Sequence, residues 1–337
     1  MKRIAINGFG RIGRAVFKII LKNHPELKIT AINDLAQPAV LAHLLRYDSI
    51  YGVYENRARA VEGFLLVDGV SKGRKITLLS EKNPENLPWQ KLGIDLVLEC
   101  TGRFRNYDEA SPHLRAGAKK VIISAPAEGT ASYVIGVNED ELDVRQTIFD
   151  IGSCTTNCLG PILKILDVHF GVVKGFMTTT HSYTNDQRLL DLEHTDLRRT
   201  RAAALNIIPT TTGAAKAIGR VMPKLEGKFD GMALRVPTPI VSVLDLFCQL
   251  KKKTTKEEIN YIFKKASQEK RYSRVLGIED APLVSSDYIG SSFSAVIDSA
   301  FTMTNEKLVK IMAWYDNEWG YSTRLADFTN LLASKLK

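Results

Sequence analysis

Cysteine is scarce in this chain: four among 337 residues. That is too few for a disulfide scaffold, and free thiols suit a reducing compartment. Long apolar runs are missing too, and none approaches the ~18 residues of a membrane span. The start, Met1-Lys2-Arg3-Ile4-Ala5-Ile6-Asn7-Gly8, breaks its apolar run at once and does not read as a signal peptide. These absences predict a soluble, cytoplasmic protein with no membrane partner. No internal repeat and no low-complexity linker occurs, which excludes solenoids and tethered modules. Four-ligand zinc spacing is absent around Cys154, Cys158 and His169, so no metal is expected. The formal charge is +9, a balance that attracts anionic metabolites or nucleic acid. The tight basic groups, Lys251-Lys252-Lys253 and Arg198-Arg199 with Arg201, lack the interleaved aromatics of a single-strand binder. Nucleic acid is therefore kept only as a secondary role.

What is present is a core-forming composition, 45% hydrophobic and 25% charged, in a length that suits two domains. Lys2 to Asn7 reads as a buried strand, and Gly8-Phe9-Gly10-Arg11-Ile12-Gly13 is G-x-G-x-x-G. Arg11 to Lys22 then has helical periodicity, and Lys28 to Ile32 reads as a second strand ending at Asn33-Asp34. Asp34 follows Gly13 at about the 20-residue distance of a ribose-binding acid. Strand, glycines, helix, strand and acid in register predict a dinucleotide-binding unit. Gly8 allows the tight turn, Gly10 the close approach of a pyrophosphate to the helix N-terminus, and Gly13 close helix–strand packing. Asp34 would bind ribose hydroxyls and repel a 2′-phosphate, which favours NAD over NADP.

More α/β alternation follows, with helices over Pro38 to Leu45 and Ala110 to Ala116 and strands over Ile94 to Glu99 and Lys120 to Ser124. Ligands of open parallel sheets bind at strand carboxyl ends, which places Thr101, Phe104 and Ser124 near the cofactor. Beyond Asn157 long strand-like runs dominate: 175–182, 232–236, 240–250, 293–297 and 308–314. Helices intervene over 213–222 and 256–268, the latter opened by Thr255 and Glu258 as a capping box. The fold class is therefore α/β: a Rossmann-type domain plus an α+β domain with a mainly antiparallel sheet. Arg188 to Pro209 is a long irregular loop of the kind that is usually functional or interfacial. The tail, Thr323 to Leu336, reads as an amphipathic helix.

Ser153-Cys154-Thr155-Thr156-Asn157 links a strand at 147–151 to a helical run at 159–170. A cysteine where a helix begins meets free N–H groups and the helix dipole, both of which favour a thiolate. Cys158 reads as a helix-packing residue, and Cys100 and Cys248 as inert core. A thiolate needs a base, and six histidines are available. His181 ends a strand and opens a polar turn, a position that puts side chains in clefts, although spacing alone does not pair it with Cys154.

The chain resembles the phosphorylating glyceraldehyde-3-phosphate dehydrogenase family. The motifs that carry the resemblance are Ile6 to Arg14, Ser153 to Cys158, His181-Ser182-Tyr183-Thr184-Asn185-Asp186-Gln187, Arg198 to Ala203, Pro209 to Lys216, Arg235-Val236-Pro237-Thr238-Pro239 and Trp314 to Tyr321. They run in family order over essentially the whole chain. The resemblance implies that Cys154 attacks the aldehyde of D-glyceraldehyde 3-phosphate and that His181 handles the protons. A thioester then yields to inorganic phosphate, giving 1,3-bisphosphoglycerate in glycolysis or gluconeogenesis. It implies that Thr184 and Arg235 hold the substrate phosphate, and that Ser153, Thr155, Thr212 and Gly213 form the site of the attacking phosphate. Asn317 would hold the nicotinamide carboxamide with Tyr321 nearby, and Arg11 and Ile12 would line the pyrophosphate. The implied domains are 1–152 with 317–337 for NAD and 153–316 for catalysis, the C-terminal helix packing back on the first. A homotetramer is implied as well. The chain departs from the family at Leu192-Glu193-His194, where NAD-type members commonly read Leu-Pro before the histidine; Glu193 would add discrimination against NADP. The nearest alternative, erythrose-4-phosphate dehydrogenase of the same mechanism, tends to lose the Thr184 and Thr212-Gly213 features kept here.

Overall fold

Three parallel strands end level in the first part of the chain. Asn7 pairs with Asn33 on one side and with Glu99 on the other, closing the strands Lys2–Asn7, Leu27–Asn33 and Leu96–Glu99. The computed structural model of the protein describes residues 1–68 and 74–336. The chain divides into two compact units, one of Met1–Tyr133, Leu142–Ile151 and Ser322–Lys337, the other of Val134–Glu141 and Gly152–Tyr321.

The first unit is built on a nine-stranded sheet. Its parallel centre runs Ile148–Asp150, Lys120–Ile123, Leu96–Glu99, Lys2–Asn7, Leu27–Asn33, Arg74–Leu79, and two antiparallel strands, Phe64–Val67 and Ala58–Val61, extend one edge. Ile4, Ala5 and Ile6 are all fully buried, as expected of a parallel strand covered on both faces. The helix Arg11–Asn23 packs Val16, Phe17, Ile19 and Ile20 inward, each at most 2% exposed. Such a side chain contributes roughly 1.5–3 kcal/mol on burial. The predicted helix over Ala110 to Ala116 is two short pieces, Tyr107–Ala110 and Pro112–Arg115. The break falls at Pro112, which has no N–H to donate to Asp108 O; that oxygen accepts from the Ser111 hydroxyl instead, at 2.8 Å. From the terminal helix Trp319–Lys335, Phe328 stacks on Tyr133 and Asp327 faces His24 at 3.2 Å.

The second unit carries an eight-stranded sheet. Most pairings are antiparallel, as between Val172–Ser182 and Ser242–Leu250 and between Ser242–Leu250 and Leu308–Tyr315. Val172–Ser182 and Phe229–Val236 nevertheless run parallel, and this register sets His181 opposite Arg235. The helix Cys154–Phe170 buries Cys158, Leu159, Ile162, Leu163 and Leu166 against the sheet. In the helix Lys256–Gln268 only half of the expected capping box forms. Thr255 Oγ1 accepts from Glu258 N at 3.2 Å, but the Glu258 carboxylate accepts from the Thr254 hydroxyl.

Candidate active site

A cleft of about 270 Å³ opens at the level strand ends of the first unit, lined by Asn7, Gly8, Gly10, Asn33, Asp34, Thr101 and Phe104 among others. Gly8 has φ +92, and a Cβ there would meet Thr101 N at 2.7 Å; a Cβ on Gly13 would sit 2.1 Å from Gly8 O. A Cβ on Gly10 would meet nothing within 4 Å, because Gly10 faces the open cleft. This is the space a pyrophosphate needs above a helix start. The Asp34 carboxylate accepts from Phe9 N at 2.7 Å and Ala36 N at 2.9 Å, which fixes it on the cleft wall. The residues present therefore fit a dinucleotide. The Arg11 guanidinium turns to Asp48, 3.2 Å away, so Arg11 can offer a pyrophosphate its backbone rather than its side chain. Ile12 is half-buried in the first helical turn. Ser124 is not among the lining residues; its hydroxyl bonds the Cys100 thiol, which is. Cys100 thus stands on the cleft wall rather than in the core, and burial pushes its thiol up to about 12.

In the second unit, Ser153 caps the helix that begins at Cys154: its Oγ accepts from Thr156 N at 3.0 Å. Cys154 Sγ lies 3.4 Å from His181 Nε2. His181 Nδ1 lies 2.8 Å from the Ser182 carbonyl oxygen. With its proton on Nδ1, donated to that oxygen, the ring presents its Nε2 lone pair to the thiol. Arg235 Nη1 donates to the same carbonyl at 3.0 Å and stands 2.7 Å from Nδ1, where a permanent cation opposes a second ring proton.

Burial first, and then the Arg235 charge, lowers the His181 imidazole to about 3. Burial raises the Cys154 thiol, while Arg235, the Thr155 hydroxyl and the backbone N–H groups of Thr155 and Cys154 pull it down. Each group is thus held neutral if it ionises alone, and helix placement by itself does not make the thiolate. Moving the thiol proton across to Nε2 ionises both together, so their attraction offsets the desolvation. Cys154 is only partly buried, which lowers that cost further.

The anion-binding candidates are held in different ways. Arg235 touches His181 directly. Thr212 Oγ1 accepts from Ala214 N at 3.2 Å, and Gly213 opens the helix Ala214–Val221 with no atom within 4 Å of a Cβ position. Thr184 stands on a turn closed by Gln187 N donating to its carbonyl. Thr155 is different: it is 3% exposed and its hydroxyl bonds Tyr315 OH at 2.9 Å. Its hydroxyl is thus already engaged, and its backbone N–H points to the Cys154 sulfur. Asn317 is buried, with Oδ1 accepting from the Ser182 and Ser242 hydroxyls, and Tyr321 OH donates to Gly152 O.

Two further residues belong to the site. Arg199 carries charge toward His181 and Arg235 and is paired with Asp186 and Thr210. Tyr315 lies edge-on to His181 at 6.0 Å and bridges Thr155 and Thr179 through its hydroxyl. Arg199 reads as surface charge in the sequence; the polar loop around it is the available signal. Tyr315 lies inside the Trp314 to Tyr321 motif, but nothing in the sequence singles out its hydroxyl.

A glycine-lined dinucleotide cleft on a parallel sheet, with a thiol–imidazole pair on a second unit, defines a nicotinamide-dependent dehydrogenase equipped with a nucleophile. Residues 2–107 match the family described as "Glyceraldehyde 3-phosphate dehydrogenase, NAD binding domain", and residues 153–317 match its C-terminal domain. The chain is 51% identical to a glyceraldehyde-3-phosphate dehydrogenase of Geobacillus stearothermophilus, over 99% of this chain and 98% of the relative. It is 52% identical to the one from Thermotoga maritima, over 98% and 99%. A chloroplastic form from Arabidopsis thaliana is 51% identical, over 99% and 84%. The chain belongs to the glyceraldehyde-3-phosphate dehydrogenase family and is an NAD-dependent oxidoreductase.

Proposed function

We infer that the protein oxidises D-glyceraldehyde 3-phosphate and captures the acyl group with inorganic phosphate, giving 1,3-bisphosphoglycerate. The observation that carries this reading is the 3.4 Å contact between Cys154 Sγ and His181 Nε2, with Arg235 against the same imidazole. His181 takes the thiol proton as Sγ attacks the aldehyde carbon. It gives that proton to the oxyanion and takes it back as the hemithioacetal is oxidised. NAD, when bound, accepts the hydride. Asp34 and the Gly8–Gly13 turn would hold its ribose and pyrophosphate, and Asn317 the carboxamide. Phosphate attacks the resulting thioester at its carbonyl carbon, and the Cys154 thiolate leaves. Arg235 and Thr184 would hold the substrate phosphate, and Ser153, Thr212 and Gly213 the attacking one. Arg forks and helix N-termini suit phosphate oxygens.

Assembly as a homotetramer and a cytoplasmic location belong to the same reading. Phe176, Phe247 and Met232 are 69%, 45% and 40% exposed on one face of the second sheet, a surface that a second copy would cover. Among the described residues no helix is long and apolar enough to cross a membrane. The functional reading is tested with glyceraldehyde 3-phosphate and erythrose 4-phosphate, each with and without inorganic phosphate. Phosphate-dependent turnover with a clear preference for the triose is expected; a preference for the tetrose overturns the substrate assignment.

A further inference from the structure

Asn317 is held by two hydroxyls that no part of the reaction consumes. Ser182 Oγ donates to Asn317 Oδ1 at 3.0 Å, and Ser242 Oγ donates to the same oxygen at 3.1 Å. Ser242 Oγ itself accepts from Ser182 N at 3.2 Å, so its hydrogen is the one available for Asn317. Ser182 and Ser242 are at most 1% exposed, and Asn317 is 6% exposed. With its oxygen fixed by two donors, the Asn317 side chain can turn only its NH2 end to a ligand.

The backbone that brings Ser242 here is strained. Val241, directly before it, has φ +67, a left-handed conformation that a β-branched residue rarely adopts. Val241 is 3% exposed, so its surroundings impose the conformation. Strain of this kind persists where the neighbouring geometry is useful. Val241 lies between the strands Phe229–Val236 and Ser242–Leu250, and the turn there re-aims the chain so that Ser242 enters its strand beside Ser182. Ser182 is also the residue whose carbonyl receives His181 and Arg235. One residue therefore joins the acid–base group, the phosphate-binding arginine and the Asn317 amide.

We propose that Ser182 and Ser242 are positioning residues: together they lock the Asn317 amide so that a nicotinamide carboxamide is held in one rotational state and a single ring face meets the substrate. This rests on the reading that Asn317 holds the carboxamide. The ring face is set by rotation about the glycosidic bond, which carries the carboxamide to the opposite edge of the ring, so an Asn317 NH2 held toward the carboxamide oxygen favours one face and a loosened Asn317 lets the ring turn over. The lock therefore acts on the stereochemistry of hydride transfer as well as on its rate.

The test uses the full-length enzyme with Ser182→Ala, Ser242→Ala and the double variant. Three readouts are taken: kcat, the face of transfer using reduced nicotinamide deuterated at C4, and the rate of Cys154 alkylation by iodoacetamide. In the double variant kcat should fall about tenfold. Transfer should change from one face to a detectable mixture, while alkylation stays within about twofold. Each single variant should show a smaller effect, because one hydroxyl still holds the oxygen. Retained kcat and single-face transfer in the double variant overturns the proposal. So does a loss of kcat that runs in step with lost alkylation and lowered Tm while transfer stays on one face, since that marks support of the fold alone. Asn317→Ala separates the two levels. If it leaves NAD turnover and stereochemistry intact, the reading of Asn317 fails; if it impairs them while the double serine variant does not, only the lock fails.

Discussion

Cys154 Sγ and His181 Nε2 stand 3.4 Å apart across 27 residues of sequence, one at a helix start and the other at a strand end. Neither ionises easily alone, and the pair should titrate together. In His181→Asn the thiolate loses the imidazolium that stabilises it, while burial still raises the thiol and Arg235 with the local N–H donors still lowers it. The midpoint of Cys154 alkylation should therefore move to higher pH. A midpoint one pH unit higher would cut the alkylation rate at pH 7 about tenfold. An unchanged alkylation profile would remove His181 from the pair.

Arg235 stands beside the imidazole, and in the proposed reaction it also receives the substrate phosphate. Arg235→Leu should lower kcat/KM for glyceraldehyde 3-phosphate by roughly 10- to 100-fold, the range of a lost charged hydrogen bond. Unphosphorylated glyceraldehyde should lose much less. Equal losses for the two aldehydes would show that Arg235 serves only the proton chemistry.

The two neighbouring glycines of the cofactor turn should fail in different ways. Gly13→Ala places a methyl 2.1 Å from Gly8 O, a clash with backbone that should destabilise the protein by about 1–3 kcal/mol or more. Gly10→Ala puts its methyl into open cleft, so Tm should hardly move while NAD binding weakens about tenfold or more. Calorimetry of folding and of NAD binding reads both effects, and a Gly10→Ala protein with normal NAD affinity would displace the pyrophosphate from that position.

Asp34 is pinned by Phe9 N and Ala36 N, so its charge cannot swing out of the cleft. Asp34→Asn should raise the NADP-to-NAD ratio of kcat/KM by about tenfold or more, because a 2′-phosphate no longer meets a like charge. A smaller rise is expected from Glu193→Pro, since Glu193 is exposed in its loop. An unchanged ratio in both variants would place discrimination elsewhere.

The dinucleotide turn is legible in the sequence because its pattern is local: within one strand–turn–helix Gly8 takes φ +92, Gly13 packs on Gly8 O, and Gly10 leaves the cleft open. The thiol at a helix start is equally readable from Ser153 to Asn157. Pairing His181 with Cys154, and setting Arg235 opposite His181, depends on sheet register, which no spacing records. The parallel strands Val172–Ser182 and Phe229–Val236 sit in a region whose texture otherwise suggests antiparallel neighbours. Tyr315 is hidden because a buried tyrosine in an alternating strand looks like packing until its hydroxyl is seen between Thr155 and Thr179. Pro112 carries a local signal that apolar periodicity overrides. The strands Ala58–Val61, Phe64–Val67 and Arg74–Leu79 lie in a stretch with no motif to draw a reading.

In the proposed reaction, oxidation leaves an acyl group on Cys154 that only phosphate removes efficiently. Rapid mixing of enzyme, NAD and glyceraldehyde 3-phosphate without inorganic phosphate, followed by nicotinamide absorbance, tests this directly. A burst of about one reduced nicotinamide per subunit is expected, then near-arrest until phosphate is added, and no burst in Cys154→Ser. Sustained turnover without phosphate, or a full burst in Cys154→Ser, would contradict the covalent mechanism.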